Sequence, residues 1–196
     1  MNTAPDVIYD FDPGNLPPEL LQAIGRMAMC AAQTESVMQS FIGAVLEIDN
    51  LETVALTAHM AAPLKDHVAR ALIELNGANV ETIDLVDDLL DAISTAAEKR
   101  NVVIHNSILR HPQTGELFSY RQTARGSLQV SLQPVSVEEI EKDATLIYEA
   151  GMDLVRFMIL NNITPNNRTR PVRRPVNRRK KAREERIQRR RSARAG

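Results

Sequence analysis

The sequence contains one cysteine, no tryptophan and few aromatic residues, and these absences exclude several kinds of protein. Cys30 alone can form neither an intramolecular disulfide nor a cysteine-based zinc cluster, which favours a reducing compartment. We interpret it as a small core side chain, with a reactive thiol as the alternative. Because only 4% of the residues are aromatic, we expect no platform of rings for stacking bases.

Long apolar segments are also missing. No run of about 18 apolar residues occurs, and the first residues, MNTAPDVIYDFDPG, carry acids instead of a basic stretch followed by an apolar one. We therefore expect no membrane span and no secretion, and we expect a cytoplasmic protein. Its 196 residues fit one domain that is large enough to bury a conventional core.

The near-neutral charge of the whole chain, −1, conceals two opposite parts. Up to Pro165 there are 10 basic and 23 acidic residues, a net charge of −13, and after it 14 basic and 2 acidic residues, a net charge of +12. The sequence thus predicts an N-terminal extension over residues 1–15, an acidic domain over residues 16–165 and a basic tail over residues 166–196.

Apolar residues recur at intervals of three and four through most of the acidic domain, which predicts amphipathic helices. The second helix should be capped by Asn50 and stopped by Gly77, and Pro63 should kink it or divide it into two shorter helices. Ser136 and Glu139 have the spacing of a capping box at the start of the last helix. The predicted helices cover residues 18–48, 50–76, 80–105 and 137–162.

Between the third and fourth helices, apolar residues alternate with polar ones over residues 117–120 and 128–132, and residues 112–115 and Arg125-Gly126 supply turns. This pattern predicts a β-hairpin within residues 107–135. We therefore expect an all-α fold, an antiparallel bundle of four to five helices with a small β-hairpin inserted before the last long helix, followed by a disordered basic tail.

The end of the third helix carries the one group of side chains that suggests chemistry. Arg100, Asn101 and His105 place a cation, an amide and an imidazole within six residues. An imidazole exchanges protons near neutral pH, and a guanidinium stabilises the charge that develops at phosphorus, so these groups suit phosphodiester chemistry without a metal. Asn101 and His105 share a helical face, whereas Arg100 lies roughly 140° around the helix from His105, beside the apolar stripe.

A structural interpretation of the same residues stays open. Cations near a helix C-terminus are favoured by the negative end of its dipole, and Asn101 or Asn106 could simply cap the helix. The spacing of the other three histidines matches no metal site, so we interpret His59, His67 and His111 as surface or core residues. We expect neither a metal nor a cofactor.

The run Arg100-Asn101-x-x-x-His105, near the end of the third of four helices, resembles the Arg-x4-6-His signature of HEPN domains, and the resemblance covers roughly residues 16–162. It implies a metal-independent endoribonuclease, a homodimer whose paired motifs form one cleft, and a role in a toxin-antitoxin or phage-defence system. Arg100 would stabilise the phosphate, His105 would be the general acid or base, and Asn101 would position the RNA. The implied reaction is attack of the RNA 2′-hydroxyl on its own phosphate, which leaves a cyclic phosphate and a 5′-hydroxyl.

Two acids are candidates to orient Arg100: Glu35 inside the first helix and Glu98 beside the motif. A solvated charge on the helix face is the alternative for Glu35. The family also contains noncatalytic members, so a helical dimerisation or binding module that holds nucleic acid or a protein partner is the competing function. One toxin branch has a tyrosine two residues after the histidine, where this chain has Ser107, so the antitoxin or defence partner stays unidentified.

The tail has many arginines and lysines and few apolar residues, so we expect it to be disordered when free and to bind RNA or DNA without sequence preference. The alternative is a tail that folds back onto the acidic domain. The predicted nucleic-acid contacts are Arg173, Arg174, Arg178, Arg179, Lys180, Lys181, Arg189, Arg190 and Arg191.

Overall fold

The computed structural model describes residues 8–123 and 129–166, and most of them are helical. This part of the chain contains five helices and a three-stranded antiparallel sheet before the last helix, which confirms the predicted fold class. The predicted turn at Arg125-Gly126 and the tail beyond Asn166 lie outside the described residues. The elements are α1 (Pro18–Val45), α2 (Asn50–Thr57), α3 (Ala62–Leu75), α4 (Val80–His105), β1 (Ser107–Arg110), β2 (Leu117–Thr123), β3 (Gln129–Pro134) and α5 (Val137–Leu160).

Helix α1 ends three residues earlier than the sequence predicted, because Glu47 adopts a left-handed φ of 56° and turns the chain. Asp49 then caps α2: its carboxylate accepts from the backbone N–H of Glu52 at 2.9 Å, and the Glu52 carboxylate accepts from the Asp49 N–H at 3.2 Å. The prediction of Asn50 as the cap was therefore wrong by one residue. Asn50 is instead the first residue of the helix.

The predicted second helix is divided in two. Pro63 lies in the first turn of α3, where its missing N–H is tolerated, and residues 58–61 separate α3 from α2. Gly77 follows the end of α3 with a φ of 71°, as expected of a residue that stops a helix. Ser136 caps α5 by accepting from the Glu139 N–H at 3.3 Å, which confirms that predicted start.

Helix α1 packs along α5, and α4 and α3 complete the bundle around them. The larger core cluster includes Phe41, Ile42, Leu90 and Leu154, all with no exposed surface. The second cluster joins α1, α4 and α5 near the end of α4, and thereby fixes the helix that carries the predicted site. Its buried members are Leu20, Ala23, Met27, Ala96, Ile140, Ala144 and Ile147.

Arg70 of α3 fastens α3 to α4 through three carboxylates. It donates to Asp66 of its own helix, and to Asp87 at 2.8 Å and Asp91 at 2.7 Å on α4. The hydrogen bond to Asp66, followed by those to the α4 acids, raises the pKa of Arg70 above its ordinary value. The acidic residues of α4 thus include two that position the helix.

The sheet has the order β1-β2-β3, so the predicted hairpin is present as β2 and β3 and a strand that the sequence did not reveal precedes it. The N-terminal segment adds to its free edge: the backbones of Asp10 and Arg110 exchange two hydrogen bonds of 3.0 Å. The ring of Tyr9 contacts His111 and Phe118 edge to face. Residues 8–15 of the predicted extension therefore lie on the sheet.

Membrane spanning would require a long and strongly apolar helix, and none of the helices in the described ranges meets that requirement.

Candidate active site

The last two turns of α4 carry the three residues that the sequence singled out. Asn79 caps the helix by accepting from the Thr82 N–H at 2.9 Å, and the helix runs without interruption to His105. Asn106 then adopts an extended conformation, with φ −98° and ψ 150°, and leads directly into β1. The site therefore lies where the bundle meets the sheet.

The side chains of Arg100, Asn101 and His105 converge. Nη1 of Arg100 donates to Oδ1 of Asn101 at 3.0 Å and lies 3.5 Å from Nε2 of His105. Arg100 and His105 leave the helix in different directions, as predicted. The side chain of Arg100 is long enough to reach His105 in spite of this difference. Arg100 lines one surface depression and His105 another, and Asn101 lines both.

The contact between Arg100 and His105 indicates which imidazole nitrogen is protonated. A guanidinium can only donate hydrogen bonds, so the 3.5 Å contact is favourable only when Nε2 of His105 carries no proton. In a neutral imidazole Nδ1 then carries the proton. The lone pair of Nε2 faces Nη1 of Arg100 in this arrangement, so Nε2 is the ring nitrogen that could accept a proton from a ligand.

Only some of the N–H groups of Arg100 have a hydrogen-bond partner among the described residues. Its Nε is buried and has no hydrogen-bond acceptor among the described residues. A buried donor without a partner is unfavourable by roughly 1–3 kcal/mol, and such exceptions in folded proteins call for an explanation. An anion that draws the guanidinium outward would supply the missing acceptor.

The two acids proposed to orient Arg100 have different surroundings. Glu35 lines the same groove as Arg100, together with Ala62 and Asn101, but its carboxylate accepts a hydrogen bond from Lys65. Glu98 is exposed near Asn101, and no ion pair of the described residues includes it. The structure thus gives Glu35 a different partner from the one that the sequence suggested.

Asn101 is the point where three surface depressions meet. One of about 170 Å³ extends past Arg100 to Glu35. A second of about 340 Å³ extends to His67, and a third of about 580 Å³ extends past His105. Volumes of about 300–1,000 Å³ are typical of sites that bind small organic ligands, so the surface around Asn101 is concave enough to hold one.

Two residues at these depressions were missed by sequence reasoning. His67 is exposed, and its Nδ1 lies 2.7 Å from the carbonyl oxygen of Pro63, which can only accept, so Nδ1 is the protonated nitrogen. Arg121 of β2 lines the depression at His105. The alternation of β2 was the available signal for Arg121, but only the folded sheet brings it to the end of α4.

Most cations in the described residues are neutralised by acids, and those at the site are not. Five of the nine described lysines and arginines form ion pairs: Arg26, Lys65, Arg70, Lys99 and Arg156. Arg100 and Arg121 form none with any residue in the described ranges. In a domain with a large excess of acids, two unpaired guanidinium groups beside one imidazole form a locally favourable place for an anion.

Within residues 8–123 and 129–166, no group of three histidine, cysteine or acidic side chains is arranged to hold a metal ion. The nucleic-acid contacts predicted for the tail all lie outside those residues. Comparisons with known protein families, with curated proteins and with solved structures found no match to this chain.

Proposed function

We propose that the protein is a metal-independent endoribonuclease of the HEPN type, acting as a toxin or phage-defence effector, with its site at Arg100, Asn101 and His105. Nε2 of His105 takes the proton of the RNA 2′-hydroxyl, whose oxygen then bonds to the adjacent phosphorus. Arg100 stabilises the negative charge on the phosphate oxygens, and Asn101 orients the nucleotide.

The bond from phosphorus to the 5′-oxygen breaks, and that oxygen must receive a proton. A second copy of the chain supplies it in this proposal, because a homodimer with paired motifs places another His105, in its protonated form, at the same cleft. The products are a 2′,3′-cyclic phosphate and a 5′-hydroxyl. No oxidant, reductant or cofactor enters this balance.

The observation that carries the proposal is the position of Arg100, whose Nη1 lies 3.0 Å from Oδ1 of Asn101 and 3.5 Å from Nε2 of His105. A guanidinium that only interacts with the helix dipole needs neither an amide nor an imidazole beside it. In the proposed phosphoryl-transfer site, the guanidinium, the amide and the imidazole act on the same phosphate. Among the described residues the Nε of Arg100 has no hydrogen-bond acceptor and the guanidinium has no acidic partner, which also favours an anionic ligand over a structural ion pair.

The basic tail has a matching role in the proposal. A domain of net charge −13 repels RNA at distances up to the Debye length of roughly 8 Å. Residues 166–196 then recruit the polyanion, and the local cations at Arg100 hold the phosphate that reacts.

The direct test is cleavage of a single-stranded RNA by the purified protein in EDTA. His105→Ala should lower the rate by roughly a hundred to ten thousand fold, the usual contribution of general acid–base catalysis. His59→Ala is the matched control, since His59 is exposed and lines none of the depressions that meet at Asn101, and it should leave the rate unchanged. An RNA with a single 2′-deoxy position should resist cleavage at that position.

Expression in a bacterial host tests the toxin or defence role separately. The wild-type protein should arrest growth, and the His105→Ala protein should not. If the purified protein cuts no RNA in EDTA and the two proteins behave identically in cells, the binding-module function replaces the nuclease.

A further inference from the structure

The depression at His105 has a second cationic wall. Helix α4 lines one side with Glu98, Asn101, Val102 and His105, and Arg121 of β2 lines the other. Arg100 lines the neighbouring groove instead, so His105 lies between a cation on its own helix and a cation on the sheet. The two guanidinium groups reach the site from different elements.

The strand register explains the position of Arg121. Ser107 of β1 pairs with Tyr120 of β2, and continuing that antiparallel register places Arg121 opposite Asn106, the residue after His105. Alternate residues of a strand share a face. Ser119 is buried and lines the cavity beside Val102 of α4, so Arg121, two residues further along, is on the face directed to the end of α4.

Nothing in the described residues neutralises Arg121. It forms no ion pair within residues 8–123 and 129–166, and its cross-strand partner in β3 is Ser131. Glu98 is the only acid among the described residues that line the depression, and it lies about two helical turns before His105. The negative end of the α4 dipole stabilises a cation here, and the exposed guanidinium of Arg121 can exchange bound water for phosphate oxygens.

We infer that Arg121 forms a second phosphate subsite, which binds the phosphodiester next to the one held at Arg100. The inference rests on the proposed nuclease function and adds a substrate requirement to it. A single-stranded polyanion is commonly held by a row of cations that follows its backbone. With the reacting phosphate at Arg100 and His105, the strand continues into the depression at Arg121, and the minimal good substrate carries a phosphate beyond the one that is cleaved.

The test compares three small substrates in EDTA: UpU, the same dinucleotide with a 5′-phosphate, and the same dinucleotide with a 3′-phosphate. The full-length wild-type protein should cleave one of the two phosphorylated forms with a kcat/KM roughly tenfold or more above that of UpU, as one added charge-assisted hydrogen bond allows. Arg121→Ala should reduce this preference to less than about twofold, and Arg121→Lys should restore part of it.

Lys142→Ala is the matched control. Like Arg121, Lys142 is exposed and has no ion pair in the described part of the chain. It lies on α5, however, and lines none of the depressions that meet at Asn101. The Lys142→Ala protein should retain the full preference. A wild-type protein without any preference, or an Arg121→Ala protein that keeps it, would overturn the second subsite. Thermal unfolding of both variants measures any purely structural effect.

A binding experiment separates the failure of this inference from the failure of the nuclease. A fluorescently labelled 12-nucleotide oligouridylate is titrated into the full-length His105→Ala protein over a range of salt concentrations. Adding Arg121→Ala should reduce the slope of log affinity against log salt by about 0.7, the contribution of one phosphate contact in a single strand, and adding Lys142→Ala should not. An unchanged slope contradicts the subsite even if His105 proves catalytic. A reduced slope supports it even if the protein cuts no RNA.

Discussion

The ammonium group of Lys65 on α3 donates a hydrogen bond to the carboxylate of Glu35 on α1, although the two side chains differ greatly in exposure. The Lys65 side chain is 2% exposed and that of Glu35 is 52% exposed. A buried ammonium depends on its partner much more than a half-solvated carboxylate does. The main role of Glu35, which lines the groove of Arg100, is therefore to stabilise the buried ammonium group of Lys65.

Glu35→Ala should lower the free energy of unfolding by roughly 1–3 kcal/mol, because it leaves the Lys65 charge buried without an acceptor. Lys65→Met should be milder, since it removes the buried charge and leaves Glu35 in contact with water. Urea denaturation measures both. Glu74→Ala, an exposed acid on α3, should stay within about 0.5 kcal/mol of wild type. Equal effects of the Glu35 and Glu74 variants would contradict this dependence.

Replacing Gly43 tests the close approach of α1 to α2. A Cβ at this position would lie 2.0 Å from Oγ1 and 2.8 Å from Cγ2 of Thr53, which is itself buried. Gly43→Ala should therefore destabilise the protein by roughly 1–3 kcal/mol in thermal or chemical unfolding, in spite of the better helix propensity of alanine. At Gly25 in the same helix a Cβ meets nothing within 4 Å, so Gly25→Ala should stabilise by about 0.5–1 kcal/mol. A stabilising Gly43→Ala would contradict the close approach of Thr53 and would show that helix propensity decides both positions.

The attachment of the N-terminal segment to the sheet should weaken in acid. The hydrogen bond from the backbone N–H of Asp12, and then that from the Asn15 side chain, lower the pKa of Asp10 below its ordinary value of 3.8. A lowered pKa means that the stabilisation is present above this ordinary value and is lost as the pH falls through the pKa of the folded state.

NMR signals of the Tyr9 and Phe118 rings, followed from pH 6 downward, should report a loosening below about pH 3.8. Asp10→Asn should remove most of that acid-dependent step, whereas Asp84→Asn, on the exposed face of α4, should leave it intact. Ring signals that are independent of pH in the wild-type protein would contradict the role of Asp10.

A chain that ends at Pro165 should lose most of the salt dependence of RNA binding. If the tail contacts about eight phosphates of a single strand, log affinity of the full chain should fall with log salt at a slope near −6. A nuclease without its tail should still cleave short RNA at low salt, whereas a binding module should lose all RNA affinity. Changing Arg189, Arg190 and Arg191 together to alanine should reduce the slope by about 2, and an unchanged slope would exclude these tail residues as phosphate contacts.

Local signals in the sequence were sufficient for most of the helices. The apolar spacing and the caps predicted α4 to its last residue, His105, and the start of α5 at Ser136, because these features depend on neighbours along the chain. Asp49 was missed as a cap because Asn50 beside it has the same capping chemistry. Strand β1 has only four residues, too few for alternation to be recognised.

The surroundings of the site depend on contacts between distant parts of the chain, and these were not predictable in the same way. A lysine is normally exposed, so nothing around Lys65 in the sequence indicates its burial. Arg121 looked like any polar residue of a hairpin, and it lines the same depression as His105 only because β2 folds back on β1. The identity of Arg100, Asn101 and His105 was available from the sequence, but their partners were not.

The pairing of α1 with α5 determines when the site can form during synthesis. The ribosome completes α4, with Arg100 and His105, before it has made the helix that α4 packs against. The cluster around Leu20 and Ile147 and the contact of 2.6 Å between Lys99 and Asp143 both need α5. Since domains generally fold as units when their chain is available, the end of α4 gains its fixed position only after α5 has been made. A nascent chain that still lacks α5 therefore carries Arg100, Asn101 and His105 without the packing that fixes their arrangement.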